Sequence, residues 1–99
     1  MNNLLLQLNE LIEFDPQKRL QTLLLRDLDF ARAGEIFADA TATFVDVRSH
    51  YGECRYVTYG FLDDRLTVLV WTRREKKIRV ISMRRANERE NKKYSQRVG

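Results

Sequence analysis

One cysteine, one histidine, one proline and four glycines in 99 residues exclude several common architectures at once. The lone Cys54 rules out an internal disulfide framework and any cysteine-cluster zinc site, and it suits a reducing cytoplasm. The lone His50 rules out a histidine-rich metal centre. Hydrophobic residues at 43% and charged residues at 32% do not fit a disordered or fibrous chain. No apolar run approaches the roughly 20 residues of a membrane helix. The leucine-rich start, Leu4 to Ile12, lacks the basic flank and small-residue cleavage site of a secretory signal. There is no Walker loop, dinucleotide fingerprint, nucleophile elbow or metal-ligand cluster. The expectation is one small basic domain, residues 1–99, in the cytoplasm, with no cofactor and no membrane contact.

What is present is charge, unevenly placed. Residues 1–64 hold six Lys/Arg and eleven Asp/Glu, a net of −5, and residues 65–99 hold twelve and three, a net of +9. Together they give the overall +4. So basic a final third makes a polyanion such as RNA a candidate partner.

Leu4, Leu5, Leu8, Leu11 and Ile12 have the spacing of one helical face, with a possible short strand at Ile12–Phe14. Asp15-Pro16 reads as a helix cap and first helical residue, and Leu20, Leu23 and Leu24 then line one face to about Asp27. A further helix starts at Asp29, with Phe30, Ala33, Ile36 and Phe37 at helical spacing. Four strand-like runs follow, Thr43–Arg48, Arg55–Phe61, Arg65–Thr72 and Ile78–Met83. Polar turns at Asp63-Asp64 and Glu75-Lys76-Lys77 make the last three an antiparallel meander. Residues 66–71 are apolar at both parities, which marks the central strand and places Trp71 in the core. Ala86–Arg97 favours a helix with almost no apolar stripe. The fold class expected is α+β: a small antiparallel twisted sheet of about four strands, N-terminal helices packed on it, and a polar C-terminal helix.

The basic groups sit on the strands. Arg73, Arg74, Lys76 and Lys77 close one strand, Arg79 lies inside the next, and Arg84 and Arg85 leave it. Guanidinium forks on a rigid sheet can hold phosphate at two points. Strand alternation puts Arg79 and Arg84 on opposite faces unless the strand ends or bulges near Ser82. Arg79 could equally pair with Glu75 or Glu53. His50, in Ser49-His50-Tyr51-Gly52-Glu53, is the default acid–base candidate, being the only side chain with an ordinary pKa near neutrality. Glu53 and Glu90 could act as base or orient an arginine, Tyr94 could stack a base or pin its helix, and Cys54 reads as a small strand residue.

Four pieces, in order, resemble the BrnT family of ribonuclease toxins from type II toxin–antitoxin pairs. Glu13-Phe14-Asp15-Pro16 with Lys18 is similar to the family's E-(W/F)-D-x-x-K opening. Asp29-Phe30-Ala31-Arg32-Ala33, then Ile36-Phe37, resembles its (S/D)-F-x-x-A…F helix. Asp46, Ser49, Gly52-Glu53-x-Arg55 and Gly60 resemble its D…S-x-x-G-E-x-R…G stretch. Arg79-Val80-Ile81-Ser82-Met83-Arg84-Arg85-Ala86, with Glu90 and Tyr94, is similar to its R-I-I-S-A-R-x-A-x-x-x-E-x-x-x-Y ending. The match spans about residues 13–95 and leaves residues 1–12 as a leucine-rich extension.

The resemblance implies a RelE-like microbial ribonuclease fold, and metal-independent RNA cleavage by attack of a ribose 2′-OH on the phosphodiester, inhibiting translation. It implies a hetero-oligomer with an antitoxin of the BrnA type. Carried over, Arg79 and Arg84 would hold or stabilise phosphate and Glu53 or Glu90 would orient or accept a proton; with His50, singled out above as the lone imidazole, these are the catalytic candidates. Arg55, Arg73, Arg74, Lys76, Lys77, Arg85 and Tyr94 are the RNA-binding candidates. One stretch departs from the pattern: the family's N-x-x-K-H-G is Thr22-Leu23-Leu24-Leu25-Arg26-Asp27 here, with Arg26 as a possible replacement cation. That exchange motivates an alternative, a catalytically impaired toxin-like protein that binds an antitoxin or RNA without cutting.

Overall fold

The computed structural model describes residues 3–48 and 52–98. The leucine-rich start is helix α1 (Asn3–Leu11), which runs directly into strand β1 (Ile12–Phe14). Helix α2 (Pro16–Arg26) begins as its sequence dictates, with the Asp15 carboxylate accepting from the Gln17 N–H at 2.9 Å and Pro16 in the first turn. It ends on Asp27 in the left-handed conformation, φ 58°. The Asp29 carboxylate caps the next segment, which opens as a 3-10 turn (Phe30–Arg32) and continues as helix α3 (Ala33–Phe37). Strands β2 (Thr41–Asp46), β3 (Arg55–Leu62), β4 (Arg65–Arg74) and β5 (Lys77–Arg85) precede helix α4 (Glu88–Val98).

The sheet has five strands in the order β1-β5-β4-β3-β2. The expected meander is present, and Asp63 and Asp64 both take positive φ in its first hairpin, as a tight two-residue turn requires. The expectation of four antiparallel strands is corrected by β1, which pairs with β5 in parallel through Ile12–Ile78, Glu13–Arg79 and Phe14–Val80. The sheet is therefore mixed.

Cross-strand partners project from the same face, so the register defines two surfaces. On one, Leu69, Trp71, Val80 and Met83 pack beneath Leu28, Phe30 and Ile36 to form the core. Trp71 is buried as expected and satisfies its indole N–H on Thr58 Oγ1 at 2.8 Å. Helix α1 lies against α3 where Gly34 admits the Asn9 side chain, a place with no room for a Cβ. Arg32 forks onto both Glu35 and Asp63, tying α3 to the β3–β4 turn.

Two further expectations change. Leu20 and Leu24 do not share a buried face with Leu23: Leu24 is 74% exposed and Leu25 83%, and only Leu23 turns inward. Cys54 is exposed and lies just before β3, where its carbonyl accepts from Thr72 Oγ1 at 2.6 Å. Among the described residues no helix is long and apolar enough to cross a membrane.

Candidate functional site

The second face of the sheet carries the polar chemistry, and an irregularity in β5 assembles it. Val70 pairs with Ser82 but the next residue, Trp71, pairs with Val80, so Ile81 is an extra residue bulged out of the ladder. The bulge shifts the parity of the strand. Arg84 pairs with Val68 and Arg79 with Thr72, four residues apart on β4 and hence on one face. An unbroken strand would have put one of the two arginines among the core residues.

Along this face the arginines are held in different ways. Arg79 Nη1 meets Glu13 Oε2 at 3.3 Å, a partner that β1 supplies in place of Glu75 or Glu53. Arg55 shares the face by pairing with Thr72, and its Nε meets Glu53 Oε2 at 2.8 Å. Arg84 makes a two-point pair with Glu90, 2.8 and 2.9 Å. Glu90 also accepts from the Asn87 N–H while Asn87 Oδ1 accepts from the Glu90 N–H, a reciprocal cap that starts α4. The Arg84 fork, helped by the Asn87 N–H, holds the Glu90 carboxyl down at about 2 against its partial burial.

Helix α4 is fastened to the same face by aromatic rings. Tyr94 stacks on Tyr59 with centroids 4.1 Å apart and touches Phe44 at 5.5 Å. The pinning role foreseen for Tyr94 is thus the one its contacts display. The Tyr59 hydroxyl points to Glu90 at 3.4 Å, and burial followed by the neighbouring Glu90 charge pushes its pKa up.

Beside the end of α2, on this face of β3, β4 and β5, lies a cleft of about 430 Å³. Val57, Val68 and Val70 form its floor, and Tyr59, Ser82 and Asp46 line its walls. Arg84, Arg26 and Arg48 stand around it. Arg26 reaches it from α2, donating through Nη1 to the Met83 carbonyl at 3.0 Å, beyond the last β5 residue that β1 pairs. Arg48 follows β2, and its Nε and Nη2 fork onto the buried Asp46 carboxylate. Neither Arg48 nor Asp46 was a catalytic or binding candidate from sequence. Asp46-x-Arg48 at i, i+2, which places both on one side of an extended segment, is the signal that could have found them.

Other candidates lie elsewhere. Arg85 turns to the core side, where it donates to the Leu62 carbonyl and Thr67 Oγ1, and burial lowers its pKa. Arg73 pairs with Ile78 and shares that side, whereas Arg74 and Lys77 pair with each other at the far end of the groove face. Lys77 Nζ donates to the Glu10 carbonyl, and Lys76 is exposed in the turn. Ser49, His50 and Tyr51 fall outside the described residues.

Cationic forks on a rigid sheet, a flat apolar floor and a carboxylate already ionised make a surface for a phosphodiester and the nucleotide attached to it. Residues 14–90 match the family model described as ribonuclease toxin, BrnT, of type II toxin-antitoxin system. No curated protein matches the chain.

Proposed function

The chain belongs to the BrnT family of ribonuclease toxins of type II toxin–antitoxin systems, and from that premise we propose that it is a metal-independent endoribonuclease that cuts RNA by 2′-OH attack and so stops translation. It works in the cytoplasm on a RelE-like fold, and a BrnA-type antitoxin silences it within a hetero-oligomer. The observation that carries the reading is the Ile81 bulge, which sets Arg79 and Arg84 on one face.

The chemistry needs a base for the 2′-OH, a proton donor for the leaving 5′ oxygen and cations around the pentavalent phosphorus. Arg84 supplies charge at the reacting phosphate. Four β-residues, about 13 Å of strand, separate its row from that of Arg79, so Arg79 and Arg55 serve a neighbouring phosphate. A carboxyl held near 2 is a weak proton acceptor at neutral pH, so Glu90 orients Arg84 rather than serving as base. Glu53, 2.8 Å from Arg55 Nε, orients that arginine. His50 is left as the residue for proton transfer.

Incubation of RNA with the protein in EDTA tests this. Wild type cleaves, Arg84→Ala loses about 10²–10³-fold in rate, Arg79→Ala loses less, and His50→Ala flattens the pH profile near neutrality. No cleavage by wild type, or equal cleavage by both arginine variants, sinks the assignment. One observation favours the alternative of a binding protein: the Arg84 fork is already closed by Glu90. RNA retention that depends on Arg84 without any cleavage would establish that reading instead.

A further inference from the structure

The cleft joins an apolar surface to a charged one. Its floor is three valines, and its rim is three guanidinium groups drawn from three separate segments. The Glu90 hydrogen bond raises the Arg84 pKa overall, and Arg48 is close enough to oppose that slightly. Like charges brought together around an open cleft favour an anion between them.

Each guanidinium is also held from behind. Asp46 takes Nε and Nη2 of Arg48, Glu90 takes Nη1 and Nη2 of Arg84, and the Met83 carbonyl takes Nη1 of Arg26. Among the described residues, Nη1 of Arg48, Nε of Arg84 and Nη2 of Arg26 have no protein acceptor. Anchored forks lose little conformational freedom on binding, which is what a preorganised anion site requires. Arg48 is 73% exposed at its side chain although its carboxylate anchor is 5% exposed, so a buried group aims an accessible one. The volume, about 430 Å³, fits one nucleotide and is too small for a duplex.

We propose that Arg26, Arg48 and Arg84 form a cradle for a single phosphodiester of single-stranded RNA, with the adjoining nucleoside lying over Val57 and Val70 beside Tyr59. Arg26 and Arg48 touch substrate directly, and Asp46 is a positioning residue acting through Arg48. The Ser82 hydroxyl, in the cleft wall, is a further donor to the phosphate. An unpaired base is required because only a nucleoside free of a complementary strand can lie flat on the valine floor. The proposal rests on the ribonuclease reading, yet binding and cutting are separable.

The probe is a fluorescein-labelled 2′-O-methyl RNA octamer, which lacks the attacking hydroxyl, followed by anisotropy at fixed salt. Arg26→Ala and Arg48→Ala each weaken binding by about tenfold, the scale of one lost charge-assisted contact. Arg89→Ala, the same charge change on the outer side of α4, weakens it by less than about threefold. Arg48→Lys binds as poorly as Arg48→Ala, because an ammonium cannot hold Asp46 at two points while donating forward. Asp46→Asn is the sharpest arm. Removing a negative charge strengthens binding if only net charge matters, and weakens it if Asp46 aims Arg48. Thermal melts accompany Asp46→Asn, and the exposed Arg48→Lys carries the test if that variant does not fold. Arg26→Ala and Arg48→Ala indistinguishable from Arg89→Ala overturn the cradle, whether or not wild type cuts RNA. Arginine-dependent octamer binding without cleavage of ordinary RNA leaves the cradle standing and removes the ribonuclease reading.

Discussion

Arg84 and Glu90 meet fork to fork across the turn into α4, Nη1 to Oε1 at 2.8 Å and Nη2 to Oε2 at 2.9 Å. The same carboxylate caps α4 and takes the Tyr59 hydroxyl, so one side chain links β5, β3 and the last helix. Whatever pulls Arg84 towards a phosphate therefore also pulls on the start of α4.

That pair makes stability depend on acid. Glu90 titrates at about 2 when folded against 4.5 as its ordinary value, so the unfolded chain takes up the proton first as pH falls. Its contribution is complete above about 4.5 and is lost as pH drops through about 2. Glu90→Gln should cost about 1–2 kcal/mol at pH 7 and approach wild type at pH 2. Urea melts across that range are the measurement, and parallel curves for the two proteins would show that the pair contributes nothing.

The Tyr59–Tyr94 stack should be a real coupling. A double-mutant cycle with Tyr59→Leu and Tyr94→Leu is expected to give about 0.5–1.5 kcal/mol of interaction energy. Tyr94→Phe keeps the stack and should melt like wild type. A coupling of zero would mean that the Tyr59–Tyr94 stack does not help to hold α4.

Asp27 ends α2 at φ 58°, a conformation that glycine adopts without strain. Asp27→Gly should raise stability by roughly 0.5–1 kcal/mol, a melting shift of a few degrees for a domain of this size. A lower melting temperature would show that the Asp27 charge matters more than its backbone angle.

Leu24 and Leu25 stand in solvent at the end of α2. Leu24→Gln with Leu25→Gln should change stability by no more than about 0.5 kcal/mol per site. The same pair of changes made at buried Leu28 and Leu69 should abolish folding. Circular dichroism melts of the two double variants decide the matter. A large loss from the α2 pair would mean that these leucines are covered in solution.

Legibility followed how local the dictating chemistry was. Asp15-Pro16 fixes the start of α2, and Asp63-Asp64 fixes a hairpin, because each acts within a few residues. Strand β1 is legible in place, at Ile12–Phe14, but not in pairing, since nothing local says which strand it joins. Only pairing with Ile78–Val80, distant in sequence, makes those three residues a strand. Amphipathic spacing says that a face is apolar, not that anything covers it, and Leu20 and Leu24 stand exposed on such a face. The bulge is legible only as a condition, a break near Ser82 without which the two arginines part, because Val80-Ile81-Ser82 has no glycine to mark it. The arginines of the final motif were legible as a group, but their common face depended on that shift. Arg26 and Arg48 join them only in three dimensions, and His50 lies in a stretch the structure does not describe.

Glu13 and Arg79, joined across the β1–β5 pairing, lie 66 positions apart. On a ribosome adding about 5–20 residues per second, roughly 3–13 seconds pass between the synthesis of one and the other. Throughout that interval β1 has no neighbour, and the leucines of α1 and α2 travel with it. The face that carries Arg79 and Arg84 cannot be assembled until β5 has left the ribosome. The shared arginine face is thus a property of the finished chain, and no product that stops before β5 can carry it.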